Sequence, residues 1–134
     1  MSSNELWFAQ VGGILYTHFV TRMKKLTNRK IKYTQSNSDI SPTSLPAVHF
    51  QELEPIEVGN DIENSGIHAV GETIQLTVYG NGQMSEVKDI MSKSVLCMKQ
   101  MRFNMTGMPV YTTNHDIKYG VARFRRLIGA DDII

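Results

Sequence analysis

The architecture of this chain follows from residues 72–101, which read ETIQLTVYGNGQMSEVKDIMSKSVLCMKQM. In its first part the apolar residues Ile74, Leu76 and Val78 alternate with polar ones. This period of two predicts a strand with one apolar face. The glycines on either side of Asn81 tolerate the backbone angles of a sharp reversal, so we expect the strand to end there.

A helix is predicted directly after this turn, with Ser85 as its cap and Glu86 and Asp89 near its positive end. The residues of its apolar face recur at spacings of three and four: Val87, Ile90, Met91, Ser94, Met98 and Met101. A strand with one apolar face and a helix with one apolar stripe should pack together. We therefore expect the remaining strands to extend this sheet.

The flanking segments supply the other predicted elements. Ser2 and Glu5 have the spacing of a capping box, and a helical rhythm follows in Trp7, Val11, Ile14, Leu15, His18, Phe19, Met23 and Leu26. Gly12-Gly13 interrupts this rhythm, so either the helix starts later or another backbone approaches there. Strands are predicted at 29–35, 47–53 and 117–128, with a short one within 103–110 and a polar turn at 112–116.

The predicted order is α-β-β-β-α-β-β, which indicates an α+β fold. A mostly antiparallel or mixed sheet of four to five strands would carry both helices on one face. At 134 residues the chain is expected to be a single domain, 1–134. Residues 54–71 form a long loop that is either functional or disordered in the isolated protein, and residues 129–134 form a loose tail.

The composition, 41% hydrophobic and 20% charged, is typical of a soluble globular protein. No run of 18 apolar residues predicts a membrane span, and no secretion signal is evident at the N-terminus. Cys97 is the single cysteine, which indicates folding in a reducing cytoplasm.

Charge is segregated along the chain. Residues 1–34 carry a net +5, residues 35–72 a net −7 without any lysine or arginine, and residues 73–134 a net +3. This asymmetry indicates an oppositely charged ligand, a head-to-tail contact between identical subunits, or solvated surfaces that cluster by sign. The candidate interface comprises Arg22, Lys24, Lys25, Arg29, Lys30, Lys32, Glu52, Glu54, Glu57, Asp61 and Glu63.

Three kinds of chemical site have candidate residues in the sequence. The strand–Gly80-Asn81-Gly82–helix junction has the outline of a phosphate cradle, although the dinucleotide fingerprint and the Walker lysine are missing. The four histidines are scattered, so we predict no metal site. Cys97 and His115 would be a nucleophile and base, but a cysteine in an amphipathic helix is usually a small core residue. We predict no catalytic, cofactor or metal residues.

The run LPAVHFQELE at 45–54 resembles the second strand of the tail terminator (tail completion) proteins of bacteriophages with long non-contractile tails. The similarity extends over nearly the whole chain: a first helix and strand, this run, an acidic loop, IQLTVYGN at 74–81, a helix containing VKDIM at 87–91, and an arginine-bearing last strand.

The resemblance implies a structural virion protein without enzymatic activity or cofactor. Such proteins form a homohexameric ring that caps the tail tube, ends its polymerisation and presents the head-attachment surface. The implied partners are further copies of the chain, the major tail tube protein and head-completion or connector proteins. DNA would only pass through the channel, and no membrane is involved. The expected location is the head-proximal end of the virion tail, after assembly in the host cytoplasm.

Three alternatives remain at this point. The first is a head-completion or stopper protein at the head–tail junction. The second is a nucleic-acid-binding module that uses the basic segment Arg22–Lys32. The third is a small enzyme with a nucleotide bound at Gly80–Ser85.

Overall fold

The computed structural model describes residues 8–35, 46–53, 56–57 and 69–129. In chain order the elements are α1 (Phe8–Leu26), β1 (Lys32–Thr34), β2 (Ala47–Glu52), β3 (Ile56–Glu57), β4 (Ala69–Tyr79), α2 (Met84–Gln100), β5 (Asn104–Met105), β6 (Val110–Asn114) and β7 (Ile117–Gly129). The fold is α+β with two helices, as predicted.

One mixed sheet contains all of these strands, in the order β1-β2-β4-β7-β5. β1 and β2 are parallel, and every other pair is antiparallel. β3 pairs with β4 beside β2, and β6 pairs with β7 beside β5. β4 and β7 are therefore the central strands, and their register joins Ala69 to Gly129 and Tyr79 to Tyr119.

Both helices pack on the same face of this sheet. The predicted inward residues Ile74, Leu76 and Val78 are fully buried, and α1 and α2 contribute to the same core. The α1 core residues recur every four positions: Val11, Leu15, Phe19 and Met23. The α2 core contains the whole predicted stripe together with Cys97. The two-layer arrangement thus follows from the periodicity of each element.

The start of α2 differs from the prediction. The cap is Gln83, whose side chain makes no capping hydrogen bond, and Ser85 lies inside the helix. The residue that binds an exposed amide here is Glu86, whose Oε1 accepts a hydrogen bond from the Asn81 N–H at 2.6 Å. A carboxylate at a helix N-terminus is favoured by the helix dipole, so Glu86 stabilises the start of α2 and also holds the preceding turn.

Several predicted boundaries also move. β4 begins at Ala69 and β3 occupies 56–57, so the long loop is shorter than 54–71; its remaining residues and the tail 130–134 lie outside the described residues. β6 continues to Asn114, so the polar turn narrows to His115-Asp116, where both residues have positive φ. The polar residues 112–114 form an exposed strand because β7 supplies their hydrogen bonds.

The helix α1 runs through Gly12-Gly13 without a break. The approach at Gly12 is made by the carboxylate of Glu52 and not by another backbone: a Cβ at residue 12 would overlap that side chain. Nothing lies within 4 Å of the corresponding position at Gly13. The predicted capping box at Ser2 and Glu5 lies outside the described residues.

Candidate assembly surface

The six cations of the predicted basic patch do not form one surface. Lys24 and Lys25 are exposed on α1, whereas Arg22 is half-buried. Arg29 is paired within the chain: its Nε donates to Asp89 Oδ2 at 2.9 Å, and its Nη1 lies 3.6 Å from Glu86 Oε2. Because α2 already neutralises Arg29, the segment presents less positive charge than its sequence contains. Lys30 and Lys32 are exposed after the helix.

Two of the five acidic candidates, Glu52 and Glu57, belong to described strands. Glu54, Asp61 and Glu63 lie outside the described residues, and Glu57 is in β3 opposite Val70. Glu52 is the last residue of β2, where its carboxylate lies against Gly12 of α1. The structure therefore assigns Glu52 a contact within its own chain.

Glu72 is an acidic residue that the sequence analysis did not single out. It follows the inward parity of β4, lies opposite Arg126 of β7 and is fully buried. Among the described residues neither of its carboxylate oxygens has a hydrogen-bond donor. Burial and the neighbouring carboxylate of Glu52 raise the pKa of Glu72 to about 8. The protonated form of this carboxyl is therefore favoured well above the pH at which an exposed glutamate ionises.

The face of the sheet opposite the helices is polar and basic at its centre. Gln75 accepts a hydrogen bond of 2.9 Å from Arg123 Nε, and Arg125 is exposed on the same face. Tyr79 and Tyr119 are cross-strand neighbours whose ring centroids lie 5.9 Å apart. Neither helix lies on these side chains, and Arg123 and Arg125 of β7 are exposed, so this part of the face is open to contacts with another molecule.

An apolar patch extends this face at the sheet edge. We call Met108 and Val110 the edge patch; they are 80% and 65% exposed. Beside them lies a groove of about 330 Å³, lined by Thr106, Gly107, Met108, Val110, Val121 and Arg123. β6 forms this edge, and among the described strands it pairs with β7 alone. Large exposed apolar side chains beside an open strand are typical of a binding surface.

The parity of β7 carries a signal for the exposure of Leu127. The alternation of β7 places Ala122, Phe124 and Ile128 inward, so Leu127 occupies a position where polar residues are expected. Conversely, Arg126 takes an inward position, is 7% exposed and donates from Nη1 to the Met101 carbonyl at 3.1 Å. Strict parity along the strand would have identified both residues.

The glycine-rich junction before α2 is bonded to its own chain. The Gly80 N–H donates to the Lys118 carbonyl at 2.8 Å, and the Asn81 N–H donates to Glu86. Lys118 Nζ in turn donates to the Gly82 carbonyl at 3.1 Å. These two amides are therefore occupied, which argues against the phosphate-cradle interpretation.

Cys97 and His115 are not a catalytic pair. Cys97 is fully buried and its thiol lies 3.6 Å from the Phe19 carbonyl, whereas His115 is exposed in the turn between β6 and β7. Burial raises the pKa of the Cys97 thiol to about 12, against the opposing effect of Arg22. The thiol is therefore protonated at neutral pH and closed to solvent.

The described residues contain no group of three or more His, Cys, Asp or Glu side chains that could hold a metal ion. None of the helices in these ranges is long and apolar enough to cross a membrane. No protein-family model matches the chain, and no curated protein shows significant sequence similarity to it.

Proposed function

We propose that this chain is the ring-forming subunit that caps the tail tube of a long-tailed bacteriophage. In this proposal the ring is a homohexamer, ends tube polymerisation and offers the surface to which the head attaches. It acts at the head-proximal end of the tail and transforms no substrate. The proposal starts from the resemblance carried by residues 45–54 and 74–91, and one structural observation supports it.

That observation is the open edge formed by β6, together with the edge patch and the exposed arginines of β7 on the outer face. A closed ring needs heterologous contacts, in which one surface of a subunit meets a different surface of the next. The two edges of this sheet, β1 and β5/β6, lie at opposite sides. A contact that joins one side of a subunit to the other side of its neighbour repeats around an axis, as a ring requires.

The first test is the mass of the protein in solution, measured by light scattering over a concentration series and followed by negative-stain imaging. The expected result is a sixfold ring. A protein that stays monomeric at high concentration, both alone and with tail tubes, would contradict the proposal.

The second test uses purified tail tube protein polymerising in vitro. Added protein should halt tube growth and decorate one end of each tube. If the protein instead binds only a portal or connector complex, it is a stopper on the capsid side and the tail-terminator proposal is wrong.

A further inference from the structure

A pocket lies between the C-terminal halves of the two helices. We call it the α1–α2 pocket; it measures about 380 Å³ and is lined by His18, Thr21, Arg22, Lys25, Leu26 and Gln100. The α1 members are spaced three and four residues apart, so they form one stripe of that helix. Gln100 closes the pocket from the end of α2. Of these described lining residues none is acidic, and nearly all carry hydrogen-bond donors.

Arg22 gives this pocket its chemical character. Its Nε is buried, and within the described part of the chain it has no acceptor. Arg22 lies close enough to Cys97 for its charge to act on the pKa of that thiol, which places the guanidinium beside the contact between the helices. A buried charged donor without an acceptor carries an uncompensated desolvation cost. An anion in the pocket would offset this cost by pairing with the charge of the guanidinium.

A carboxylate fits the pocket better than a nucleic-acid backbone. The planar fork of guanidinium N–H donors matches the two oxygens of a carboxylate in a bidentate pair. A polyphosphate backbone instead requires a continuous row of cations. Here Arg29 is already paired with Glu86 and Asp89, and Lys24 does not line the pocket.

We propose that the α1–α2 pocket binds a carboxylate side chain from the acidic segment 54–63 of a second copy of this chain. Charge complementarity identifies the occupant: residues 35–72 contain seven acidic side chains and no lysine or arginine. Four of the seven fall within 54–63, at Glu54, Glu57, Asp61 and Glu63. The second copy as source rests on the proposed function, whereas the carboxylate chemistry follows from the pocket itself.

The test uses a fluorescent peptide of sequence EPIEVGNDIE, residues 54–63, titrated with the full chain and followed by anisotropy. The expected result is salt-sensitive binding that is lost when the four acids are replaced by glutamine and asparagine. R22Q should weaken binding roughly ten- to hundred-fold, because a hydrogen-bonded charge pair is lost. R22K should give an intermediate affinity, because lysine keeps the charge without the bidentate geometry.

The matched control is K24Q, which removes one positive charge from the same helix outside the pocket and should leave the affinity unchanged. K25Q, at the pocket rim, replaces R22Q if circular dichroism shows that R22Q is unfolded. Equal affinity for the charged and the neutral peptide, or equal effects of R22Q and K24Q, would overturn the proposal. So would Arg22-dependent binding of a DNA oligonucleotide without binding of the peptide.

The experiments distinguish a failure of the pocket proposal from a failure of the ring proposal. If the peptide binds through Arg22 but light scattering shows only monomers, the carboxylate site stands and the proposed function falls. If R22Q forms rings as readily as the unaltered chain, the segment of the second copy does not use this pocket and the inference is wrong.

Discussion

Gly12 and Gly13 are adjacent helical residues in different surroundings. A Cβ at residue 12 would meet the Glu52 carboxylate, whereas a Cβ at residue 13 would meet nothing within 4 Å. Replacing a helical glycine by alanine ordinarily stabilises a protein by about 1 kcal/mol. We predict that G13A gains this amount, and that G12A gains less or is destabilising because Glu52 must move away from Glu72.

Chemical denaturation of the two variants measures this difference. The double variant G12A/E52A should recover much of the helical gain, because the overlapping side chain is gone. Equal stabilisation by G12A and G13A would show that the Glu52 contact has no energetic weight.

Glu72 makes stability depend on pH. Its pKa is about 8 in the folded protein and near the ordinary glutamate value of 4.5 in the unfolded chain. Between these values the folded state binds more protons than the unfolded state. The free energy of unfolding should therefore be highest at the acid end of this window and fall as pH rises from about 5 to 8.

E72Q should remove this slope, because the amide that replaces the carboxyl does not titrate. We expect E72Q to match the unaltered chain near pH 5 and to exceed its melting temperature at pH 8. D116N makes the same acid-to-amide change in the exposed turn and should keep the slope of the unaltered chain. Parallel melting curves for E72Q and the unaltered chain across this range would contradict the role assigned to Glu72.

At the scale of elements, β4 is the strand on which the core depends. It pairs with β7 over its whole length and with β2 and β3 on its other side, and its inward residues meet both helices. Leu76 lies at its centre and is fully buried. Truncation there leaves a cavity that the neighbouring strands cannot easily close.

We predict that L76A lowers the free energy of unfolding by about 2–5 kcal/mol. The matched substitution L127A removes the same atoms from a side chain that is 56% exposed on β7, so its effect should stay within about 1 kcal/mol. Urea titration of both variants checks this. Similar losses would mean that β4 is not the core strand or that Leu127 is covered.

In β7 the alternation of the strand decides which side chains face the helices and which face outward. Its inward positions are apolar except near one end, where Arg126 donates to the Met101 carbonyl just after α2. A cation at a helix C-terminus is favoured by the helix dipole. The sequence groups Arg123, Arg125 and Arg126 as one basic run, but the strand sends the first two to the outer face and the third to the helices.

For the whole molecule, the asymmetry of the two layers determines where other molecules can bind. One face of the sheet is covered by both helices, and the other ends in the edge patch beside β6. M108K/V110K should abolish ring formation in light scattering, because lysines on an edge strand oppose pairing with another chain. The monomer should melt at nearly the same temperature, since both positions are exposed.

L96K is the control for that prediction. Leu96 is 46% exposed on α2, on the helical layer, so a lysine there should leave assembly unchanged. If L96K disrupts the ring and M108K/V110K does not, the subunits associate through the helices and the edge patch has another role.

The elements whose apolar pattern is long and unbroken could be predicted from the sequence alone. The periods of two in β4 and of three to four in α2 predicted both elements, their buried faces and the two-layer α+β fold, because these patterns are local consequences of backbone geometry. The start of α2 was misplaced by two residues: the cap is Gln83, and the turn before it is held by the Glu86 carboxylate, which accepts a hydrogen bond from the Asn81 N–H.

The features that depend on residues distant in the chain could not be predicted, because they arise only when the chain is folded. The burial of Glu72 beside Glu52, the helix that continues through Gly12, the pairing of Arg29 with α2 and the open edge at β6 all arise from contacts between residues far apart in sequence. A side chain carries its charge and polarity in the sequence, but its pKa and its exposure are set by what the fold places next to it.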